Sequence, residues 1–445
     1  MKLPLHMTKK PSGQVWLGDI PEHWAVRRLK FQVNKVGSGV TPSGGAESYE
    51  REGIPLLRSQ NVHFDGLQLD DVVFISPETH DSMANSKVRP NDVLLNITGA
   101  SIGRCCVVPA ELGEANVNQH VAIVRSDSSI ESRFLAYLLS ADPGQEQIVL
   151  SQTGSGREGL TFEAIRNFSV PLPSLHEQQQ IAAFLDWKTG QIDALIARKQ
   201  ELLEKLKEKR LAVITEAVTR GLNPAAPLRD SGIPWLREVP AHWRVMKFGY
   251  RTTIQEGQVD PEDELYLDMP LIAPNHIESN TGQVFGVTSA RDQAAISGKY
   301  SVRKGDVVYS KIRPHLNKCA LVDFDGLCSA DMYPIRTEPD LTSGFLLYWM
   351  LAQPFLDYAT ESSMRVAMPK LNRDTLSAAP LVVPPESEQE TIVAHIREVT
   401  KRIDSMTTRV ESAIARLTEY RGALITAATT GKIDVRNVRV PEPAA

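Results

Sequence analysis

Four cysteines, Cys105, Cys106, Cys319 and Cys328, are all that the 445 residues contain. None forms C-x-x-C, and no histidine pair stands beside them at zinc spacing. Neither a disulfide framework nor a zinc-finger site is expected, and no metal ligand is assigned. Free, buried thiols in a reducing cytoplasm are the reading that remains. No apolar run reaches the roughly 18–20 residues of a membrane span, and MKLPLHMTKK has no apolar signal-peptide core. A cytoplasmic chain without membrane association is expected. An excess of positive charge is missing too: 49 Lys and Arg face 54 Asp and Glu, leaving −5. Net charge alone therefore does not advertise nucleic acid as a partner.

Catalytic equipment is equally scarce. There is no G-x-x-x-x-G-K-[ST] phosphate loop, no G-x-S-x-G nucleophile turn, and no Asn-Pro-Pro-aromatic tetrapeptide for amino-methylation of a flipped base. One stretch points the other way. TGSGREG at 153–159 fits G-x-G-x-x-G through Gly154, Gly156 and Gly159. The apolar Gln147–Leu150 before it is a candidate strand, and Thr161 to Asn167 after it a candidate helix, as a methyl-donor or dinucleotide loop requires. Two features oppose this. No acidic residue follows at the spacing that would hold a ribose, and the loop has no glycine-bearing copy later in the chain.

That comparison is available because the chain repeats itself. SGQVWLGDIPEHWAV at 12–26 recurs as SGIPWLREVPAHWRV at 231–245. RPNDVLLNITGASIGRCCVV at 89–108 parallels RKGDVVYSKIRPHLNKCALV at 303–322, and PSLHEQQQIAAFLD at 173–186 parallels PPESEQETIVAHIR at 384–397. The spacing stays near 210–220 residues, about the size of a domain. In this register 153–160 falls on MRVAMPKL at 364–371, which has no glycine. His23 and His242 recur within Pro-x-His-Trp and read as structural histidines beside packed tryptophans.

Each copy begins with short β-rich runs, such as Asp92–Leu95 and Val121–Val124, broken by Gly, Pro, Asn and Asp. Short helices intervene, for example Phe134 to Leu139. Each copy ends in one long helix. Ile392, Ile396, Val399, Ile403, Met406, Val410, Ala413, Leu417, Tyr420, Leu424 and Ala427 follow steps of four and three, an a/d heptad seam. The first copy offers Ile181, Leu185, Ile192, Leu195, Leu202, Leu206 and Val213, interrupted by Lys188, Lys199 and Lys209. Ser174-x-x-Glu177 is a capping box, and Gly221 and Gly431 are stop residues. A helix of ~44 residues is about 65 Å long and needs a partner. The other copy supplies one, and antiparallel pairing is preferred; joining two chains is the alternative.

The expected fold is α+β: two mixed α/β globules, 1–174 and 223–385, with long helices over 175–222 and 386–445 forming an intramolecular antiparallel coiled coil. Each globule carries 16 basic and 19 acidic side chains.

This layout resembles the specificity (S) subunit of type I restriction–modification enzymes. The resemblance rests on Pro173, Glu177, Gln178 and Ile181, repeated as Pro384, Glu388, Gln389 and Ile392. Ile20 to Trp24, the Gly-Ala-Ser-Ile-Gly stretch at 99–103 and Val117–His120 add to it. It implies that each globule is a target recognition domain reading one half of a split sequence in double-stranded DNA. It implies that the helices set the gap and dock two methylating (M) subunits, through which restriction (R) subunits join. Methyl transfer from S-adenosylmethionine would then belong to the M subunits, so this chain carries no catalytic residue and no cofactor. An S-adenosylmethionine-dependent enzyme using the 154–159 loop, and a coiled-coil scaffold without DNA, remain the alternatives.

The two globules differ where bases would be read. Thr98–Arg104 is small and neutral with a terminal Arg, whereas Lys311–Lys318 is basic, so an asymmetric target is expected. The candidate DNA contacts are Arg58, Gln60, Asn61, Arg104, Asn118, Gln119, Arg157, Lys311, Arg313 and His315. Asn61 and Asn275 sit at corresponding turns and serve equally well as turn caps. The candidate coiled-coil and partner-docking positions are Ile181, Leu185, Ile192, Leu195, Leu206, Ile392, Ile396, Ile403, Leu417 and Leu424.

Overall fold

A computed structural model describes residues 4–152, 159–363 and 370–441. The chain divides into two compact units, 1–198 with 412–445, and 199–411, so the division crosses both long helices.

The core of the first unit is a four-stranded antiparallel sheet in the order Cys105–Val107, Val93–Asn96, Val121–Ser126, Val33–Ser38. Its central strand is apolar on both faces because both are covered. Val93, Leu95, Ala122 and Val124 pack toward the helices with Phe134, Leu138 and Ile148. Leu94, Val121 and Ile123 face the other way, onto Leu57, Val62 and Val117. Helix Ser132–Ser140 lies where the sequence placed one. Gln147–Leu150 does not: it is the C-terminal part of helix Asp142–Leu150, not a strand. Pro143 at the helix start and packing of Ile148 into the helical layer override the local β-like run. The strand that a dinucleotide loop would follow is thus missing, and residues 153–158 lie outside the described residues.

The second unit repeats this plan. Its four-stranded sheet runs Thr252–Ile254, Met332–Thr337, Val307–Ser310, Cys319–Leu321. The two copies also share an ion pair that anchors the sheet. Asp92 accepts from Arg125 Nε and Nη2, each at 2.7 Å, and Asp306 accepts from Arg336 Nε and Nη2, each at 2.9 Å. All four cysteines are free and buried, and burial pushes the Cys106 thiol up to about 12.

The long helices are Leu175–Arg220 and Glu386–Thr429. In the first unit Gln180 reaches Arg436 and Asp193 pairs with Arg421. In the second unit Arg210 pairs with Asp404, and the turn beyond Arg220 lies beside Glu388 and Ile392. Partner numbers fall as residue numbers rise, so the helices pair antiparallel within each unit. Gly221 and Gly431 end them with φ of +74° and +67°, values that favour glycine. A Cβ on Gly221 would meet Trp243, and one on Gly431 would meet Pro21 and Trp24. Each Pro-x-His-Trp therefore seats a helix terminus.

Only half of the expected seam holds. Ile396, Ile403, Val410 and Leu424 are buried and Leu417 is partly buried. Met406 and Tyr420, however, are 53% and 52% exposed. The inward positions between the buried ones are Thr400, Thr407, Ile414, Arg421 and Ala428, one residue later than expected. On the first helix Ile181, Leu185, Ile192 and Leu206 are buried, but Leu195 and Leu202 are each 43% exposed, and Ile196 and Leu203 turn inward instead. The reason is chemical. Thr400 returns its hydroxyl to the Ile396 carbonyl at 2.8 Å, and Arg421 reaches Asp193 at 2.9 Å. Polar residues thus occupy seam positions that apolar periodicity alone skips. The capping box is also only half formed. Ser174 Oγ accepts from the Glu177 amide at 3.3 Å, while the Glu177 carboxylate turns to His23.

Candidate nucleic-acid interface

In the first unit, loops from four separate parts of the chain meet at the ends of the buried strands. The turn Ser59–Asn61 follows strand Ile54–Leu57, and 97–104 follows Val93–Asn96. Residues 118–120 precede Val121–Ser126, and Gly159 bridges Thr98. Asn96 Nδ2 donates to the Ser59 carbonyl at 2.7 Å and to Ser101 Oγ at 3.1 Å. The Asn118 amide donates to the Leu57 carbonyl at 3.0 Å, and the Ile97 amide to the His120 carbonyl at 3.0 Å. His120 Nδ1 lies 2.5 Å from Thr98 Oγ1 and its Nε2 lies 2.9 Å from Gln119 Nε2.

The second unit builds the same cluster. The Ser329 amide donates to the Ile272 carbonyl, the Lys311 amide to Asp331, and the Leu371 amide to Lys311, each at 2.9 Å. Lys318 Nζ ties the 311–318 loop to the Pro274 carbonyl at 2.6 Å.

The expected contact residues fall on these loops with different availability. Gln60 and Gln119 are exposed, and Arg104 is half-buried on the 97–104 loop. Arg58 is half-buried, with Nη2 on the Asp71 carbonyl at 2.7 Å and its guanidinium near the Tyr49 ring. Asn118 is buried and uses its Oδ1 on the His120 amide. Asn61 is fully committed: Oδ1 accepts from the Arg58 amide at 2.9 Å and Nδ2 donates to Gln68 at 2.9 Å. It is a buried turn cap whose oxygen and nitrogen are both engaged within its own loop. Its counterpart is His276 rather than Asn275, since His276 Nδ1 accepts from the Ala273 amide at 3.1 Å. Both caps stand three positions after the amide they accept, so the two turns are equally long and the offset here is one larger than the sequence spacing gave. Arg157 lies outside the described residues.

Arg313 and His315 are exposed. Arg313 and Asn317 have φ of +48° and +42°, a left-handed conformation costly for residues with a Cβ. Their counterparts in the first unit are Gly99 and Gly103, with φ of +78° and +89°. The backbone turn is shared, but the second unit keeps side chains where glycine would relieve strain. Retained strain of that kind concentrates at functional sites. Asn317 is completely buried, and neither atom of its amide has a partner among the described residues.

Lys311 extends this basic surface inward. It is 9% exposed, its Nζ lies 5.2 Å from the Tyr333 ring and 5.9 Å from the Tyr300 ring, and Arg373 lies over the same two rings. Burial is the main reason Lys311 sits below the ordinary lysine range. Burial alone would raise the Tyr300 hydroxyl, but hydrogen bonds from Arg373 and Gln258 and the Lys311 charge bring it below its usual value. Ile97 and Phe162 occupy the positions of Lys311 and Arg373 in the first unit. Tyr300, Tyr333, Arg373 and Asn317 were not among the expected residues. The repeat alignment does carry a signal for two of them, because Arg373 replaces an apolar residue and Asn317 a glycine.

Elsewhere among the described residues, His6, His23 and Glu177 of the first unit present donor atoms all within 4.8 Å of one another. No described helix is long and apolar enough to cross a membrane.

A family profile described as type I restriction modification DNA specificity domain matches residues 21–208 and again 241–415. The chain is 33% identical over 341 residues to the type I restriction enzyme EcoDI specificity subunit of Escherichia coli, covering 72% of this chain and 74% of that one. It is 24% identical over 433 residues to the Escherichia coli EcoBI specificity subunit, covering 93% and 87%. Among solved structures it resembles a chain from work on complex assembly and conformational transition of the type I R-M system, with TM-score 0.70, 17% identity and coverage of 93% and 99%. It also resembles the HsdS subunit from Thermoanaerobacter tengcongensis, with TM-score 0.51, 17% identity and coverage of 93% and 98%.

Proposed function

The chain belongs to the type I restriction–modification DNA specificity family, and from that premise we propose that its two globules read the two halves of a split, asymmetric DNA target. The observation that carries the proposal is the pair of matched loop clusters with unlike side chains. Gly99 and Gly103 stand where Arg313 and Asn317 stand, and Ile97 and Phe162 where Lys311 and Arg373 stand. Arginine and lysine suit guanine edges, and asparagine and glutamine suit adenine, so unlike loops select unlike half-sites. The contacts proposed are Arg58, Gln60, Arg104, Gln119 and Arg157 for the first half. Lys311, Arg313 and His315 serve the second, and Asn118 acts through the loop it shapes.

The long helices set the distance between half-sites and dock M subunits, with R subunits joining through those. Support comes from Leu195, Leu202, Met406 and Tyr420, apolar side chains that stay exposed on the helices although seam positions were available one residue away. Each globule carries three more acidic than basic side chains. Affinity for DNA therefore depends on local clusters and on partner subunits closing around the duplex.

Protection footprinting of the chain assembled with its M subunit tests this reading. Two protected segments separated by a gap of fixed length are expected. A single continuous footprint, or none, would contradict it.

A further inference from the structure

The two Pro-x-His-Trp segments are alike in sequence but not in what their histidines face. In the second unit the arrangement is closed. His242 Nε2 lies 2.6 Å from Glu388 Oε1, and Trp243 Nε1 donates to Glu388 Oε2 at 2.8 Å. The indole N–H and both carboxylate oxygens of that trio are paired with one another or with His242 Nε2.

In the first unit the same trio is open. His23 Nε2 lies 3.0 Å from Glu177 Oε2, but Trp24, only 1% exposed, has an Nε1 without any acceptor. A second histidine fills the space. His6 is 7% exposed and packs 5.6 Å from the His23 ring and 6.1 Å from the Trp24 ring. Neither ring nitrogen of His6 has a hydrogen-bond partner among the described residues; its Nδ1 lies 3.9 Å from Asp434 Oδ2, beyond hydrogen-bond reach. The position matching His6 in the second copy is Ala225. A buried, unpaired indole N–H and an imidazole without a hydrogen-bond partner among the described residues thus meet in one place, where buried polar groups are normally paired.

We propose that His6, His23 and Glu177, whose donor atoms all lie within 4.8 Å of one another, form a three-residue site for one divalent zinc-like ion with its fourth position open. The donor set is two imidazoles and one carboxylate, which suits Zn²⁺. Bonds of about 2.0–2.1 Å in a tetrahedron place ligand atoms about 3.3 Å apart. His23 and Glu177, 3.0 Å apart, stand near that value, and no donor atom of the three lies more than 4.8 Å from another. Trp24 Nε1 then donates to the Glu177 carboxylate as Trp243 does to Glu388, fixing its orientation from behind. Among the described residues Arg436 is the cation that faces the site. It holds both carboxylate oxygens of Asp434, at 2.9 and 2.6 Å, and lies 3.9 Å from the Glu177 Oε1, so Asp434 offsets its charge while Glu177 Oε2 stays available to the metal. Residues 6, 23 and 177 come from separate stretches, which is why spacing along the chain excluded a metal site. The ion ties the N-terminal segment, the His-Trp motif and the start of the first long helix into one clasp.

The test is titration of the untagged full-length chain, assembled with its M subunit, with Co²⁺ as a spectroscopic stand-in, followed by Zn²⁺ competition. The expected result is a tetrahedral Co²⁺ absorption band saturating at about one ion per chain and displaced by Zn²⁺. His6→Ala and His23→Ala each weaken Co²⁺ binding by about 100-fold or more, since even outer-shell changes cost 10–100-fold. His242→Ala leaves the band unchanged and controls for the equivalent pair in the second unit. Because His6 makes no hydrogen bond among the described residues, its removal leaves the fold intact, which circular dichroism checks. Absence of the band from the wild-type complex, or a band of equal strength in His6→Ala, would overturn the assignment.

Discussion

Asn96 Nδ2 donates to the Ser59 carbonyl at 2.7 Å, and through that one bond two loops distant in sequence hold a common geometry. The same amide nitrogen also reaches Ser101, so a single buried side chain positions the 59–61 turn and the 97–104 loop together. Asn96→Ala is expected to cost about 1–2 kcal/mol of folding stability. It should also weaken discrimination in the first half-site while leaving the second unaffected. Chemical denaturation and competition binding with half-site variants check the two effects separately.

Strain at Arg313 predicts a trade between stability and binding. With φ at +48°, Arg313→Gly relieves up to about 1 kcal/mol. The same change removes a contact worth about 1–3 kcal/mol of base discrimination. The variant should therefore melt higher yet bind DNA less specifically. A variant that melts higher and binds normally would remove Arg313 from the interface.

The corrected helix register separates two neighbouring substitutions. Ile403 is 4% exposed, and a carboxylate there forfeits roughly 1.5–3 kcal/mol of burial and adds the cost of an unpaired buried charge. Met406 is 53% exposed. Ile403→Asp should lower the melting temperature by several degrees, and Met406→Asp should not. If the exposed face docks M subunits, Met406→Asp instead weakens M-subunit capture, measurable by calorimetry.

His276 makes the second unit acid-sensitive. Burial is the chief cause holding its pKa below the ordinary histidine value, and its Nδ1 accepts from the Ala273 amide. The folded state thus binds fewer protons than the unfolded one. Its contribution is complete above the unfolded value of about 6.5 and declines as pH falls from there toward the lowered folded pKa. Melting temperature should fall between pH 7 and 5.5. His276→Asn, which copies the Asn61 cap, should flatten part of that slope; an unchanged slope would exclude His276 as its source.

Much of this architecture was legible because duplication makes the chain its own comparison. The α+β class, the two globules and the paired long helices followed from repeated Trp, Pro and Glu-Gln positions. The helix register was legible only by half, since Thr400, Thr407 and Arg421 occupy seam positions while the apolar Met406 and Tyr420 face outward. Gln147–Leu150 was misread because a short apolar run fits strand and helix alike, and packing of Ile148 decided it. Asn61 carried a plausible base-reading chemistry that its internal hydrogen bonds consume. The Asp92–Arg125 and Asp306–Arg336 pairs, and the His6 cluster, join residues too distant in sequence for any spacing rule.

The central claim is that two unlike globules read two unlike half-sites. Methylome sequencing of a host expressing this chain with its M subunit measures that directly. The expected result is methylation at one bipartite motif whose two specified halves differ and are separated by a gap of constant length. A symmetric palindrome, or no sequence-specific methylation, would contradict it.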